Sequence, residues 1–413
     1  MTITELQRLY AAHPNVEGMG RLFKDSSIRH LYCGGLCASA ASLFSSVLVQ
    51  RAEVPFVFIL GDLEEAGYFY HDLTRILGTE KILFFPSSFR RAIKYGQKDA
   101  ANEILRTEVL SRLQKGEEGL CVVTYPDALA EKVVSRKELG DKTLKLHTGE
   151  KVDMNFITEV LRSYGFEYVD YVYEPGQYAV RGSIIDVFSF SSESPFRIDF
   201  FGDEVESIRT FEVDTQLSKE KKESIVIVPD LSRSLEQNGS GGMVSFLDFL
   251  QPDTILSMRD FLWLRERIQT VHDEALTPQA IVARESEENG IVTLEGKLID
   301  GGEFTLRALD FRRMEFGTKP TGTPDATISF DTSVQPIFHK NFDLAAETFQ
   351  EYLAQNYTLY ICSDSVKQTD RIRAIFEDRG DNIAFTAVER TLHEGFADNT
   401  LRLCIFTDHQ LFD

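Results

Sequence analysis

The turn that leads into the predicted helix Cys37–Gln50 has the composition of a phosphate-binding loop. In phosphate-binding loops, backbone N–H groups and a lysine hold the nucleotide phosphates. In this chain the loop would begin at Gly34 or Gly35. The two possible registers fill the Gly-Lys-Thr positions with small residues: Ser39, Ala40 and Ala41, or Ala40, Ala41 and Ser42. Since neither register supplies a lysine, the β- and γ-phosphates lack their main side-chain partner. We expect an ordinary glycine turn, a degenerate site that holds no cofactor.

A second group of candidate residues lies in Tyr173–Gln216, whose short runs of Val, Ile, Phe and Tyr between turn sequences predict a β-meander. Successive side chains of a strand point to opposite faces. Alternation therefore assigns three residues to the core: Phe196, Ile198 and Phe200. It assigns their neighbours to the opposite face: Arg197, Asp199 and Phe201.

Arg181 joins this outward face if Tyr178 and Val180 turn inward before the break at Gly182. Two exposed arginines beside an exposed phenylalanine are typical of binding hot spots, because both side chains give large contact areas and arginine directs hydrogen bonds. An alternative stays open. Phe201 could fold under its own turn, and the arginines could pair with acidic residues on a solvated face: Asp199, Asp203 and Glu204.

The segment Tyr173–Gln216 resembles the small domain shared by the excision-repair protein UvrB and the bacterial transcription-repair coupling factors. In that family two arginines and a phenylalanine of the meander contact the repair ATPase UvrA. The resemblance places these roles on Arg181, Arg197 and Phe201. Truncating any of them should cost about 1–4 kcal/mol of binding and leave folding nearly unchanged, since all three are expected to point away from the core.

The resemblance extends along the chain, because Thr391–Ala397 and Thr407–Phe412 are similar to the coupling factor and not to UvrB. It implies an α/β multidomain fold with four parts. These are a UvrB-like parallel α/β domain begun by residues 1–130 and completed by 215–330, an inserted UvrA-binding domain at 131–214, and a second small α/β domain at 331–413. The stretch Gly317–Asp325 has the clearest linker composition.

By this resemblance the chain is an N-terminal fragment that recruits UvrA to RNA polymerase stalled at DNA damage, in transcription-coupled nucleotide excision repair. The polymerase-binding domain and the ATP- and magnesium-dependent translocase, which engages double-stranded DNA, belong to the remainder of the longer parent. The fragment itself is expected to have no catalytic residue. In the parent, a far C-terminal domain should mask the UvrA-binding surface, so the fragment should bind constitutively.

Two rival interpretations are a nucleotide-dependent helicase-like module and a DNA-binding platform. The net charge of −21 opposes strong DNA binding, because phosphate contacts need a basic surface. One short stretch interleaves basic and aromatic residues that could touch a phosphate backbone: Arg90, Arg91, Lys94 and Tyr95.

The remaining composition indicates an ordinary reduced protein. No charged leader precedes an apolar run, and no run approaches the roughly 18 apolar residues of a membrane span, so we expect a cytoplasmic chain. The five cysteines lie mostly in apolar runs, which favours core thiols over disulfides. No metal site is expected, because no His or Cys cluster lies near Cys33 and Cys37.

Overall fold

The computed structural model describes residues 1–88, 100–231, 242–276 and 296–412. Its helices in these ranges are α1 (Ile3–Ala11), α2 (Pro14–Lys24), α3 (Ala40–Ala52), α4 (Leu63–Leu77), α5 (Ala100–Gln114), α6 (Pro126–Ala130), α7 (Arg136–Asp141), α8 (Met154–Ser163), α9 (Phe261–Ala275), α10 (Gly301–Ala308), α11 (Phe342–Ala354), α12 (Val366–Asp378) and α13 (Asp408–Phe412). A 3-10 helix covers Phe246–Phe249.

The strands of the first half are β1 (His30–Gly34), β2 (Phe56–Ile59), β3 (Ile82–Phe84), β4 (Cys121–Thr124), β5 (Val133–Val134), β6 (Leu144–His147), β7 (Glu167–Tyr168), β8 (Gln177–Arg181), β9 (Ile184–Val187), β10 (Phe196–Phe201) and β11 (Glu204–Phe211). Those of the second half are β12 (Ser218–Lys222), β13 (Ser224–Ile227), β14 (Met243–Val244), β15 (Ile255–Met258), β16 (Arg312–Glu315), β17 (Ala326–Ser329), β18 (Thr332–Val334), β19 (Thr358–Ser363), β20 (Thr386–Glu389), β21 (Phe396–Asp398) and β22 (Leu403–Thr407).

A seven-stranded parallel sheet has the order β17-β1-β16-β15-β2-β4-β3. Its central strands β2, β4 and β15 are buried at every position, as expected of a parallel sheet with both faces covered. The prediction of a mixed α/β fold containing a parallel sheet is therefore confirmed. Strand β1 lies between β16 and β17 and pairs with both, although about 280 residues separate it from them in the sequence.

The stretch Gly317–Asp325, which has linker composition, joins β16 to β17 within this sheet. It is therefore a loop between two strands that flank β1, and the chain leaves the sheet only after Ser329. Gly and Pro disfavour regular structure equally in a loop and in an interdomain linker, so composition does not separate the two.

A six-stranded sheet has the order β12-β11-β10-β9-β8-β7 and is antiparallel except between β7 and β8. The predicted meander is confirmed as its central part. Strand β12 pairs with β11, so the predicted border at residue 214 falls between two paired strands. The next strand, β13, pairs with β6.

A five-stranded sheet of order β18-β21-β22-β19-β20 forms the C-terminal part. One hydrophobic core is continuous from the seven-stranded sheet into this sheet, since it includes Cys362 and Ile405 together with Phe58 and Val123. The six-stranded sheet has a core of its own beneath α8. No helix in the described ranges is long and apolar enough to cross a membrane.

Candidate functional site

The outer face of the six-stranded sheet carries all three predicted residues, Arg181, Arg197 and Phe201. Two tight hairpins lie side by side at one end of the sheet, and each turn begins with a glycine in the left-handed region, Gly182 at φ +62° and Gly202 at φ +64°. The Phe200 N–H donates to the Ser183 carbonyl at 2.9 Å, which ties the two hairpins together. Arg181 and Phe201 end β8 and β10 respectively, so both lie at this end of the sheet.

Phe201 projects from the sheet with 78% of its surface exposed. The preceding residue, Phe200, is 3% exposed because it points into the core on the other face. The prediction that Phe196, Ile198 and Phe200 form the core side of β10 is confirmed, since all three are buried. Phe201 does not fold under its own turn, and the alternative interpretation is wrong for this residue.

Asp186 connects the two arginines. Its side chain is 1% exposed, and its carboxylate accepts hydrogen bonds from Arg197 Nε at 2.8 Å and Arg197 Nη2 at 2.9 Å. Arg181 Nη2 donates to the same carboxylate. This hydrogen bonding raises the pKa of the Arg197 guanidinium. The arginines thus pair with a buried carboxylate on the neighbouring strand β9 and not with the solvated acids that the sequence suggested.

Aromatic rings support both guanidinium groups. Arg181 lies over the Tyr171 ring at 5.0 Å, and Arg197 lies over the Phe211 ring at 4.5 Å. Arg197 Nη1 also donates to the Gln216 carbonyl at 3.0 Å. Each arginine is therefore held by both a charge partner and a ring, which fixes its position before any partner binds.

The expectation that Arg197 points away from the core is wrong, because only 15% of its side chain is exposed and its guanidinium lies over Phe211, a buried residue of a second hydrophobic cluster. The outer face carries a second hydrophobic cluster that includes Ala179, Phe188 and Phe211 together with Ile104 of α5. This cluster covers one part of the face and includes Phe211, whose ring lies under the Arg197 guanidinium. The alternation of side chains along a strand predicts which face of the sheet a residue lies on, but it does not predict which other residues pack on that face.

The glycine turn after β1 is packed against other parts of the chain. Gly35 has φ +81°, and a Cβ there would lie 1.8 Å from the Phe330 carbonyl oxygen. Helix α3 begins at Ala40, later than the predicted start at Cys37, since the intervening residues form this loop. The Cys37 N–H donates to Thr332 Oγ1 at 3.1 Å.

The buried carboxylate of Asp72 lies at the N-terminus of α3. It accepts hydrogen bonds from Ser39 Oγ at 2.7 Å, from Ser42 Oγ at 2.6 Å and from the His393 N–H at 2.8 Å. Burial raises the pKa of Asp72, although these hydrogen bonds oppose the shift. The Glu394 N–H donates to Ser39 Oγ at 3.0 Å, so the loop is attached to the C-terminal part of the chain.

A cavity of about 730 Å³ lies beside this turn, at the carboxyl ends of β2, β15 and β16. Trp263 lines it together with Glu65 and Arg259, whose side chains form an ion pair at 3.1 Å. In open α/β sheets this edge is the usual place for a ligand.

The other candidate residues add little to either site. Arg90, Arg91 and Lys94 lie outside the described residues. In the described ranges no group of three or more His, Cys, Asp or Glu could hold a metal ion. All five cysteines have free thiols, and four are buried, which confirms the core-thiol prediction.

Sequence reasoning missed Asp186 and Tyr171. The signal for Asp186 was a single acidic residue inside the apolar run Ile184–Val187. A buried carboxylate requires a partner, so such a residue indicates a basic side chain on an adjacent strand.

The sequence profile of the UvrB interaction domain family matches residues 144–232. The transcription-repair-coupling factor of Bacillus subtilis (strain 168) is 21% identical over 92% of this chain. The chain is homologous to the N-terminal region of the transcription-repair-coupling factors. The predicted resemblance is thereby confirmed. The coupling factor of Escherichia coli (strain K12) is 28% identical over 48% of this chain, and that of Staphylococcus aureus (strain bovine RF122 / ET3-1) is 21% identical over 92%.

The chain spans 38% of the length of the B. subtilis coupling factor and 17% of that of the E. coli coupling factor. The match to the UvrB interaction domain begins at β6 and extends beyond β13. It therefore includes the whole six-stranded sheet and the face that carries Arg181, Arg197 and Phe201.

Proposed function

We propose that this chain recruits the excision-repair protein UvrA through the outer face of its six-stranded sheet. The observation that carries the proposal is Phe201, exposed at 78% on the same face as two arginines whose positions are fixed by Asp186. The match of residues 144–232 to the UvrB interaction domain supports a protein partner at this surface.

Each of the three residues has a distinct role in the proposed contact. Burying Phe201 in an apolar pocket would contribute about 1.5–3 kcal/mol, because most of its side chain is now in water. Arg181, whose side chain is 36% exposed, has donors free to reach carboxylates or carbonyls of the partner. Arg197 is more enclosed and its three nitrogens already donate within the chain, so we propose that it contributes by holding Asp186 in place.

In the parent protein this recruitment would bring UvrA to RNA polymerase stalled at damage. We propose that contacts with the polymerase and with double-stranded DNA, and ATP-driven translocation, reside in the rest of the coupling factor. Masking of the UvrA-binding surface would then require a segment outside this chain. This chain by itself should bind UvrA constitutively.

We also propose that the glycine turn is a degenerate nucleotide site. No lysine is available, and the carboxylate of Asp72 lies at the helix N-terminus where a phosphate would bind. The hydroxyl groups of Ser39 and Ser42 already donate to Asp72 there, and the turn is filled by Thr332 and the backbone of His393. Residues 131 to about 232 are proposed as the inserted domain, which moves its C-terminal border from residue 214. Residues 1–130 and about 233–330 are proposed as one domain around the parallel sheet, with 331–413 as a small domain attached to it.

Calorimetric titration with purified UvrA tests the recruitment proposal. Phe201→Ala should weaken binding by about 2–4 kcal/mol, or roughly 30- to 1,000-fold. Phe156→Ala is the matched control, because Phe156 is 53% exposed on α8, which packs on the inner face of the same sheet. Equal affinity for the wild type and Phe201→Ala, or no binding by the wild type, would refute the proposal.

Trp263 offers a direct test of the nucleotide proposal, since it is the single tryptophan of the chain and lines the cavity beside the turn. Millimolar MgATP should leave its fluorescence and the melting temperature unchanged. A saturable fluorescence change with a rise in melting temperature would instead show a working nucleotide site.

A further inference from the structure

A row of basic side chains crosses the outer face of the six-stranded sheet, directly opposite one another in register. Arg197 of β10 is paired with Arg209 of β11, and Arg209 is paired with Lys221 of β12. On the other side Arg197 is opposite Asp186 of β9. The row thus starts beside the arginines of the proposed UvrA surface and runs to the edge strand of the sheet.

This arrangement does not help the sheet to fold. Like charges directly opposite each other on neighbouring strands are destabilising. The acidic residues on this face compensate only in part. Asp186 is shared by Arg181 and Arg197, and Asp199 accepts from Arg209 Nη2 at 3.2 Å.

Two observations show donor capacity that the chain itself does not use. Arg209 Nε is buried and has no hydrogen-bond partner among the described residues. Lys221 is exposed and has no ion-pair partner in the described part of the chain, although both neighbouring lysines do. Lys219 pairs with Glu212 at 3.0 Å, and Lys222 pairs with Glu220 at 2.8 Å.

The basic row stands out because the whole chain carries a net charge of −21. A local excess of positive charge in such a protein attracts acidic partners by steering and by complementarity. Double-stranded DNA is the less favoured occupant, since the strongly acidic remainder of the chain would repel its phosphates. A partner protein that presents carboxylates fits the row better.

We propose that Arg209 and Lys221 extend the recruitment surface to the sheet edge, where they contact a row of carboxylates on the partner. This inference rests on the proposed function, since it assigns further contacts and a partner chemistry to the same surface. Phe201 and Arg181 would form the apolar and hydrogen-bonding centre of the interface. Arg209 and Lys221 would form a charged margin that speeds association and depends on salt.

The test is binding of the full chain to purified UvrA at about 50 mM and about 500 mM NaCl, by surface plasmon resonance. Arg209→Gln and Lys221→Gln should each weaken binding about five-fold at low salt, mainly through slower association, and should have little effect at high salt. Lys222→Gln is the matched control, because Lys222 neighbours Lys221 on the same strand and its cross-strand partner is the core residue Ile208. It should bind like the wild type.

The outcomes separate this inference from the proposed function. If Phe201→Ala abolishes binding while Arg209→Gln and Lys221→Gln bind like the wild type at both salt concentrations, the basic row is refuted and recruitment stands. If the wild type does not bind UvrA, both fail.

Two further results would also overturn the basic row. Self-association of Lys221→Gln with unchanged UvrA affinity, seen by sedimentation, would show that the lysine only protects the sheet edge. Binding of the wild type to a 30-bp duplex that is lost in Arg209→Gln and Lys221→Gln would assign the row to phosphates.

Discussion

Replacing Arg197 with alanine should destabilise the six-stranded sheet as well as weaken partner binding. Removing one partner of a fully buried ion pair costs about 3–5 kcal/mol. Asp186 keeps its bond to Arg181, and Arg197 is itself 15% exposed, so roughly half of that cost, about 2 kcal/mol, applies here. Loss of the contact with the Phe211 ring, at 4.5 Å, adds about 0.5 kcal/mol. The expected total is about 2–3 kcal/mol.

Hydrogen exchange followed by mass spectrometry measures this effect locally. Protected amides in β9 and β10 should exchange about 30- to 150-fold faster in Arg197→Ala than in the wild type, which corresponds to 2–3 kcal/mol at about 1.4 kcal/mol per factor of ten. Amides in β15 should be unchanged, because that strand lies in a different sheet and core.

Arg209→Ala is the matched control for this experiment. Its pair with Asp199 is partly exposed, at 36% and 23% for the two side chains, so its loss should cost less than about 1 kcal/mol. In an Asp186→Asn background, Arg197→Ala should also cost less than about 1 kcal/mol, since the buried charge is gone. Exchange in Arg197→Ala within three-fold of the wild type would refute the reasoning from Asp186.

Three other predictions concern the glycine turn and its surroundings. Gly35→Ala should lower the melting temperature strongly, because the added Cβ would collide with the Phe330 carbonyl oxygen. Gly67→Ala is the control and should raise the melting temperature slightly, because Gly67 lies in α4 with open space around it. Similar melting temperatures for the two variants would contradict this prediction. Burial raises the pKa of Asp72 in the folded protein, so the protonated carboxyl group is the form that the fold favours. The stability that this group contributes is complete below about pH 3.9, the ordinary pKa of Asp, and is lost as the pH rises through the higher pKa of the folded state. The melting temperature of Asp72→Asn relative to the wild type should therefore rise as the pH increases above about 4, and a constant difference would exclude this role. Iodoacetamide should alkylate Cys37 before the other four thiols, because Cys37 is half-buried and the others are buried. Mass spectrometry measures the rate of alkylation at each cysteine, and equal rates at all five would contradict the structure.

Local periodicity was enough to predict the parallel sheet and the core face of β10. Continuous apolar runs such as Phe56–Ile59 identify buried parallel strands, and alternation separates Phe200 from Phe201 without knowledge of the neighbours. The position of Phe201 is a property of its own strand and turn. These features are therefore readable from a few adjacent residues.

Features that depend on cross-strand register could not be predicted. Asp186 and Arg197 are opposite each other only because β9 and β10 pair in one particular register. The strand Ser218–Lys222 is exposed throughout and has no apolar face, so its sequence suggests a loop even though it pairs with β11. Its membership in the sheet follows from backbone hydrogen bonds, which any residue except proline can make.

The position of β1 between β16 and β17 has a consequence for synthesis on the ribosome. At about 5–20 residues per second, the two partner strands of β1 emerge on the order of 15–60 s after it. The six-stranded sheet is made from consecutive segments of the chain, so it can be complete well before β1 finds its partners. During that interval Leu31 and Cys33, which are buried in the finished sheet, have no partner strand, so we expect this segment of the nascent chain to be open to chaperones.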